Sequence, residues 1–184
     1  MLVLPGSAAL SDARFQLLAE SVTALDQSLS LREVNYAYAV DVAAGAPLDE
    51  DRLAALLQPG TATPADTEAL HRPGHRIVTP RFGTISPWSS KATDIARNCG
   101  FASVGRIERV TVIGVDGLTS DQDLRPLDAL IHDRMTEMVV DSLDALQLLF
   151  ERSASRSYRD VDVLGAGAEA LFVANRELGL ALTD

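Results

Sequence analysis

The chain has 184 residues, of which 47% are hydrophobic and 23% are charged, so it can bury a core in one domain of ordinary size. Its 26 acidic and 16 basic residues give a formal net charge of -10, and such a surface repels phosphate backbones, which excludes a nucleic-acid partner from our expectations. The sequence has no apolar run of about 18 residues that predicts a membrane span, and its start lacks the pattern of a signal peptide. A single cysteine excludes an internal disulfide framework, and together these features favour a cytoplasmic protein without a membrane partner.

Strand and helix patterns alternate in the first part of the chain. Leu2 to Leu4 predicts a short strand, and apolar residues at helical spacing predict a helix over Phe15 to Leu25. The clearest strand is Val34 to Val42, where valines and tyrosines alternate with other residues, so we predict one buried and one exposed face. A short helix is predicted over Asp49 to Leu57.

The middle of the chain repeats this order. Residues 59–74 hold prolines, glycines and charges without periodicity, which predicts a long surface loop. A short strand is predicted within His75 to Pro80 and a helix over Ser86 to Cys99. Arg106 to Val115 has apolar residues on both faces, which indicates a central strand. A start resembling a capping box predicts a further helix from Ser120 to about His132.

Two strand-helix-strand units in succession match a ferredoxin-like α+β sandwich, in which helices cover one face of a four-stranded antiparallel sheet. We predict that residues 1–140 form this domain. Apolar residues at helical spacing recur over Leu143 to Phe150 and Ala166 to Leu180, on either side of a polar stretch, 151–160, that we expect to be flexible. Residues 141–184 are therefore predicted to be a mostly helical linker.

Residues that could carry chemistry are few. His71 and His75 have the spacing of metal ligands on one helical face, but a proline and a glycine between them argue against a helix, so we expect a solvated loop. Cys99 lies near a predicted helix C-terminus, where the helix dipole disfavours a thiolate. It also shares an apolar face with Trp88 and Ile95, so we interpret it as a packing residue.

One polar segment stands out between the third predicted strand and the helix after it. Ser86 followed by Pro87 is a favourable helix start, and serine hydroxyls, free amides and two cationic side chains would gather there. Such a cluster could bind an anion or another domain. The alternative is an ordinary capped helix with a solvated polar face. The candidate patch consists of Arg81, Ser86, Trp88, Ser89, Ser90, Lys91, Asp94 and Asn98.

The same segment carries a family resemblance. Thr79 to Gly100, which contains several rare residues in order, is similar to the N-terminal region of large single-chain phosphoribosylformylglycinamidine synthases. Phe82 is a small departure, because a proline is expected there more often. The resemblance covers essentially the whole chain, with further matches at Leu4 to Ser11, His132 to Glu137, Asp162 to Gly165 and Ala174 to Leu182.

The resemblance implies a part in purine biosynthesis. Enzymes of this family convert formylglycinamide ribonucleotide, glutamine and ATP, with magnesium, into formylglycinamidine ribonucleotide. Their N-terminal domain is similar to a fused dimer of the small subunit of split versions, and is expected to join the synthetase and glutaminase domains of the same chain and to shape the ammonia route. We therefore expect no catalytic residue, cofactor-binding residue or metal ligand in this segment; the ATP and magnesium sites and the glutaminase triad would lie beyond it. The alternative is a free-standing anion or nucleotide binding domain that uses the helix start at Ser86 to Lys91.

Overall fold

The computed structural model describes residues 1–58, 70, 73–119, 121–151, 158 and 160–183. The chain divides into two compact units, Met1–Arg152 and Ser153–Asp184. Most of the predicted loop at 59–74 and most of the stretch 151–160 lie outside the described residues. The predicted domain boundary at residue 140 stays a prediction.

The first unit contains five strands, four α-helices and a 3-10 helix within its described residues. In chain order they are β1 (Leu2–Ala8), α1 (Asp12–Leu25), β2 (Ser30–Val42), α2 (Glu50–Leu57), β3 (His75–Pro80), α3 (Pro87–Asn98), β4 (Val104–Asp116), α4 (Arg125–Ile131), β5 (Glu137–Val140) and the 3-10 helix Asp144–Leu149. The second unit contains α5 (Val163–Leu178), which is interrupted by non-helical backbone at Gly167.

The strands form one sheet in the order β1-β2-β4-β3-β5, and every neighbouring pair is antiparallel. The predicted α+β class and antiparallel sheet are confirmed, and β4 is central, as its two apolar faces indicated. The strand order is consistent with a ferredoxin-like arrangement but does not establish it. A fifth strand, β5, extends the sheet beyond the four strands that the sequence predicts.

All four α-helices of this unit pack on the same face of the sheet. Val34, Tyr38 and Val40 alternate along β2 and face them, in two core clusters: one involves α2 and α3, and the other involves α1 and α4. Within the described part of the chain, none of the helices is both long and apolar enough to span a membrane.

The opposite face of the sheet is also covered, so the prediction of an exposed face on β2 was wrong. Ala37 and Ala39, which alternate with the tyrosines, are fully buried. They pack in a third cluster with Leu146 and Leu149 of the 3-10 helix. Alanine is small enough for this helix to lie close to the strands, a contact that alternation in β2 alone does not reveal.

Two predicted helices differ from the structure. The helix expected from Ser120 begins at Arg125 instead, with a proline in its first turn, while Ser120 itself is not described. The segment Leu143 to Phe150 has helical spacing of its leucines but forms a 3-10 helix. Both segments are short, and such segments commonly take 3-10 geometry or shift their ends under tertiary packing.

Candidate functional site

The site is built around the start of α3, where the side chain and the backbone N–H of Ser86 make three hydrogen bonds. Its Oγ accepts from the backbone N–H of Ser89 at 3.0 Å, which caps the helix as the sequence predicts. Its hydroxyl donates to Glu108 Oε2 at 2.7 Å, and its backbone N–H donates to Glu108 Oε1 at 3.2 Å. The residue therefore joins α3 to a carboxylate on β4.

Glu108 is fully buried and was missed by the sequence reasoning. The guanidinium of Arg106, two residues earlier on β4, pairs with its Oε1. Arg106 also donates to the carbonyl oxygens of Leu149, at 2.9 Å, and Thr84, at 2.6 Å. A glutamate within a strand predicted to be central was the available signal, since a buried carboxylate requires a partner.

This network alters the interpretation of α3 as an anion site. The positive end of a helix stabilises a nearby carboxylate, and here Glu108 supplies one from within the chain. Both donor groups of Ser86 bond to it. Through Ser86, Glu108 and Arg106, the network connects the start of α3 to β4 and to the 3-10 helix.

The other predicted patch residues do not converge on one point. Arg81 donates to the carbonyl oxygen of Arg134 at 3.1 Å. Ser89 is fully buried, and its Oγ has no hydrogen-bond partner among the described residues. The remaining polar members of the patch lie exposed along α3: Ser90, Lys91, Asp94 and Asn98.

The buried face of α3 is not the apolar face that the sequence suggests. Ser89, Thr93 and Ala96 are buried, and Thr93 Oγ1 accepts the backbone N–H of Ile107 at 3.0 Å. Ile95 is 54% exposed. Small residues face the sheet because the helix packs close to β4, and Ile95 is thereby turned outward.

An apolar groove of about 270 Å³ lies between α2 and α3. The ring of Trp88 forms one wall, and Lys91 supplies its charged end. The remaining lining residues are Leu56, Leu57, Ala92 and Ile95. The groove brings together two members of the predicted patch, Trp88 and Lys91, with apolar residues that the patch did not include.

Two tyrosines and one arginine of the sheet lie beside Trp88 of α3. Trp88 stacks on Tyr38, with ring centroids 5.7 Å apart. The Arg109 guanidinium lies over Tyr36, 4.2 Å from its centroid, and over Trp88, 5.1 Å from its centroid. Burial raises the pKa of Tyr38, an effect partly opposed by the charge of Arg109. Sequence reasoning missed Arg109, because only the strand register places it beside these rings.

Within the described part of the chain, no group of three His, Cys, Asp or Glu residues could hold a metal ion. His75 Nε2 lies 3.2 Å from Glu33 Oε1, and His71 falls outside the described residues. Cys99 is half-buried at the end of α3, where its N–H bonds to the helix. The two described histidines make separate contacts: His75 bonds to Glu33, and His132 Nδ1 bonds to the carbonyl oxygen of Asp128.

The fold and this region together define an α+β domain in which a buried ion pair on the central strand joins an antiparallel sheet to the start of a helix. The model of one family, described as the formylglycinamide ribonucleotide amidotransferase N-terminal, matches residues 35–150. The match covers more than half of the chain and runs from Asn35, within β2, through the 3-10 helix. The chain therefore belongs to this family, as its resemblance predicted, and the family is part of an amidotransferase of purine biosynthesis.

Proposed function

We propose that this chain is the assembly domain of a phosphoribosylformylglycinamidine synthase. In that enzyme, ATP-dependent amidation of formylglycinamide ribonucleotide uses ammonia released from glutamine. The observation that carries the proposal is the family match over residues 35–150, which runs from within β2 through the 3-10 helix and includes β3, β4 and β5. Catalysis, ATP and magnesium belong to the synthetase and glutaminase domains, and this domain positions them in a cytoplasmic enzyme.

The surface that suits such a role is the groove between α2 and α3. It is apolar, and Ile95 on its wall is 54% exposed. Exposed apolar surface beside a lysine is typical of contacts between domains. The buried pair of Arg106 and Glu108 keeps α3 in place, so that the groove has a fixed shape.

The full-length enzyme provides the test. Lys91→Ala removes the charged end of the groove without touching the sheet, and Ser90→Ala is the matched control, since both residues are exposed on α3. We expect Lys91→Ala to lower the glutamine-dependent rate several-fold while the rate with free ammonia changes less, because domain positioning affects ammonia delivery most directly. Ser90→Ala should leave both rates unchanged.

Trp88→Ala should have a larger effect in the same assay, because the ring also forms the wall of the groove. Equal wild-type rates for the Trp88 and Lys91 variants, with both nitrogen sources, would count against the proposed role of the groove. Glutamine or ATP hydrolysis by the 184-residue chain alone would contradict a non-catalytic domain.

A further inference from the structure

The helical face of the sheet contains a seam between two helix pairs. α2 packs against α3, and α1 packs against α4. Each pair covers its own core cluster, and Tyr36 and Arg109 belong to neither cluster. Both are half-buried and lie on this face, between the clusters. We use the term seam for the surface formed by Tyr36, Trp88 and Arg109.

Arg109 differs from the other arginines on the described strands. Arg32, Arg76 and Arg106 each pair with a carboxylate on the same or a neighbouring element. The side chain of Arg109 has neither an ion pair nor a hydrogen bond to any described residue, and its guanidinium lies over two aromatic rings. In a chain of formal net charge -10, a half-buried arginine without an acidic partner is conspicuous.

The geometry of the guanidinium indicates what it can bind. The two rings beside the guanidinium attract its charge without taking up its N–H groups in side-chain hydrogen bonds, so these groups remain available as donors. A flat guanidinium held in this way is suited to bidentate contact with a carboxylate or a phosphate. Aromatic rings also reduce the entropy lost on binding, because they fix the long side chain beforehand.

We propose that the seam is an oxyanion-binding site in which Arg109 is the anchoring residue. Its ligand carries a carboxylate or phosphate group, which the edge of the guanidinium contacts while Tyr36 and Trp88 hold the cation in place. The site is separate from the start of α3, where both donors of Ser86 bond to Glu108. It stands independently of the assembly role proposed above.

Trp88, the single tryptophan of the chain, provides a direct readout, since it lies 5.1 Å from the Arg109 guanidinium. The purified chain is titrated with inorganic phosphate and, separately, with acetate, while fluorescence is recorded. Sodium chloride at matched ionic strength is the control for screening. We expect a saturable change with at least one of the two anions and none with chloride. Tighter binding of phosphate identifies a phosphate-bearing ligand, and tighter binding of acetate identifies a carboxylate.

Two variants assign the response to Arg109. Arg109→Met should weaken binding about tenfold or more, because it removes hydrogen bonds to a charged group. Arg109→Lys retains the charge but loses the flat fork, so it should bind more weakly than the wild type even if the methionine variant fails to fold. Arg134→Met is the control, since Arg134 is exposed and its side chain contacts no described carboxylate.

Three results would overturn the proposal. The first is the absence of a saturable response to both anions in the wild-type chain. The second is an equal response to chloride, which would indicate screening alone. The third is unchanged affinity in folded Arg109→Met or in Arg109→Lys.

Discussion

Replacing Glu108 tests the central structural claim, that a buried carboxylate fixes the start of α3. Glu108→Ala removes the partner of the Arg106 guanidinium and leaves the hydroxyl and N–H of Ser86 without an acceptor. Glu108 is 0% exposed, and the side chain of Arg106 is 19% exposed. Water therefore cannot readily replace the lost bonds.

The expected cost follows from this burial. Breaking a buried ion pair by removing one partner costs about 3–5 kcal/mol. We expect Glu108→Ala to lower the free energy of unfolding by about this amount, and Glu108→Gln by about 1–3 kcal/mol because it retains the shape and one acceptor. Urea titration followed by the fluorescence of Trp88 measures the change, since Trp88 lies next to the capped helix start.

Asp94→Ala is the control, because Asp94 is exposed on the same helix and should change stability by less than about 0.5 kcal/mol. The double variant with Arg106→Met should cost less than the sum of the two single changes if the residues act as a pair. A loss below about 1 kcal/mol for Glu108→Ala, well short of the range for a buried pair, would refute the reasoning.

Two further predictions concern the 3-10 helix and an exposed ion pair. Leu146→Ala should lower the free energy of unfolding of the first unit by about 2–5 kcal/mol in urea, because Leu146 is 0% exposed. Leu148→Ala should cost far less, because Leu148 is 40% exposed. Equal costs would show that the 3-10 helix does not contribute a buried contact to this face of the sheet. The side-chain hydrogen bond from Arg125 lowers the pKa of Asp123 to about 2, so Arg125→Gln should raise that pKa toward its ordinary value of 3.8 in an NMR titration. The lowered pKa stabilises the fold above about pH 3.8, and this contribution is lost as the pH falls toward 2; an unchanged Asp123 pKa in the variant would contradict the pairing.

Much of the secondary structure could be predicted from local patterns. β2 and β4 have long apolar runs, and α3 begins at Ser86 and Pro87 as its capping sequence indicates. These signals depend on residues close in sequence, so they can be recognised without knowledge of the fold. β5 has only four residues and gave no clear pattern.

The candidate site was predicted less completely, because its decisive contacts join distant segments. The patch included Ser86 and Trp88 but omitted Glu108 and Arg109, which lie about twenty residues further along the chain. Apolar spacing also suggested that Ile95 would pack, although the structure exposes it. Helical periodicity identifies faces but does not decide which of them approaches the sheet.

The sequence by itself determined the α+β class, the capped start of α3 and the family, since these depend on local chemistry and on a long run of characteristic residues. Tertiary structure alone decided that both faces of the sheet are covered, that a buried glutamate accepts from both donors of Ser86, and that the Arg109 guanidinium lies over two aromatic rings. The physical reason is that burial and ion pairing depend on which segments meet in space. The packing of α3 beside β4 brings these segments together, and the residue spacing within a single helix or strand does not specify that packing.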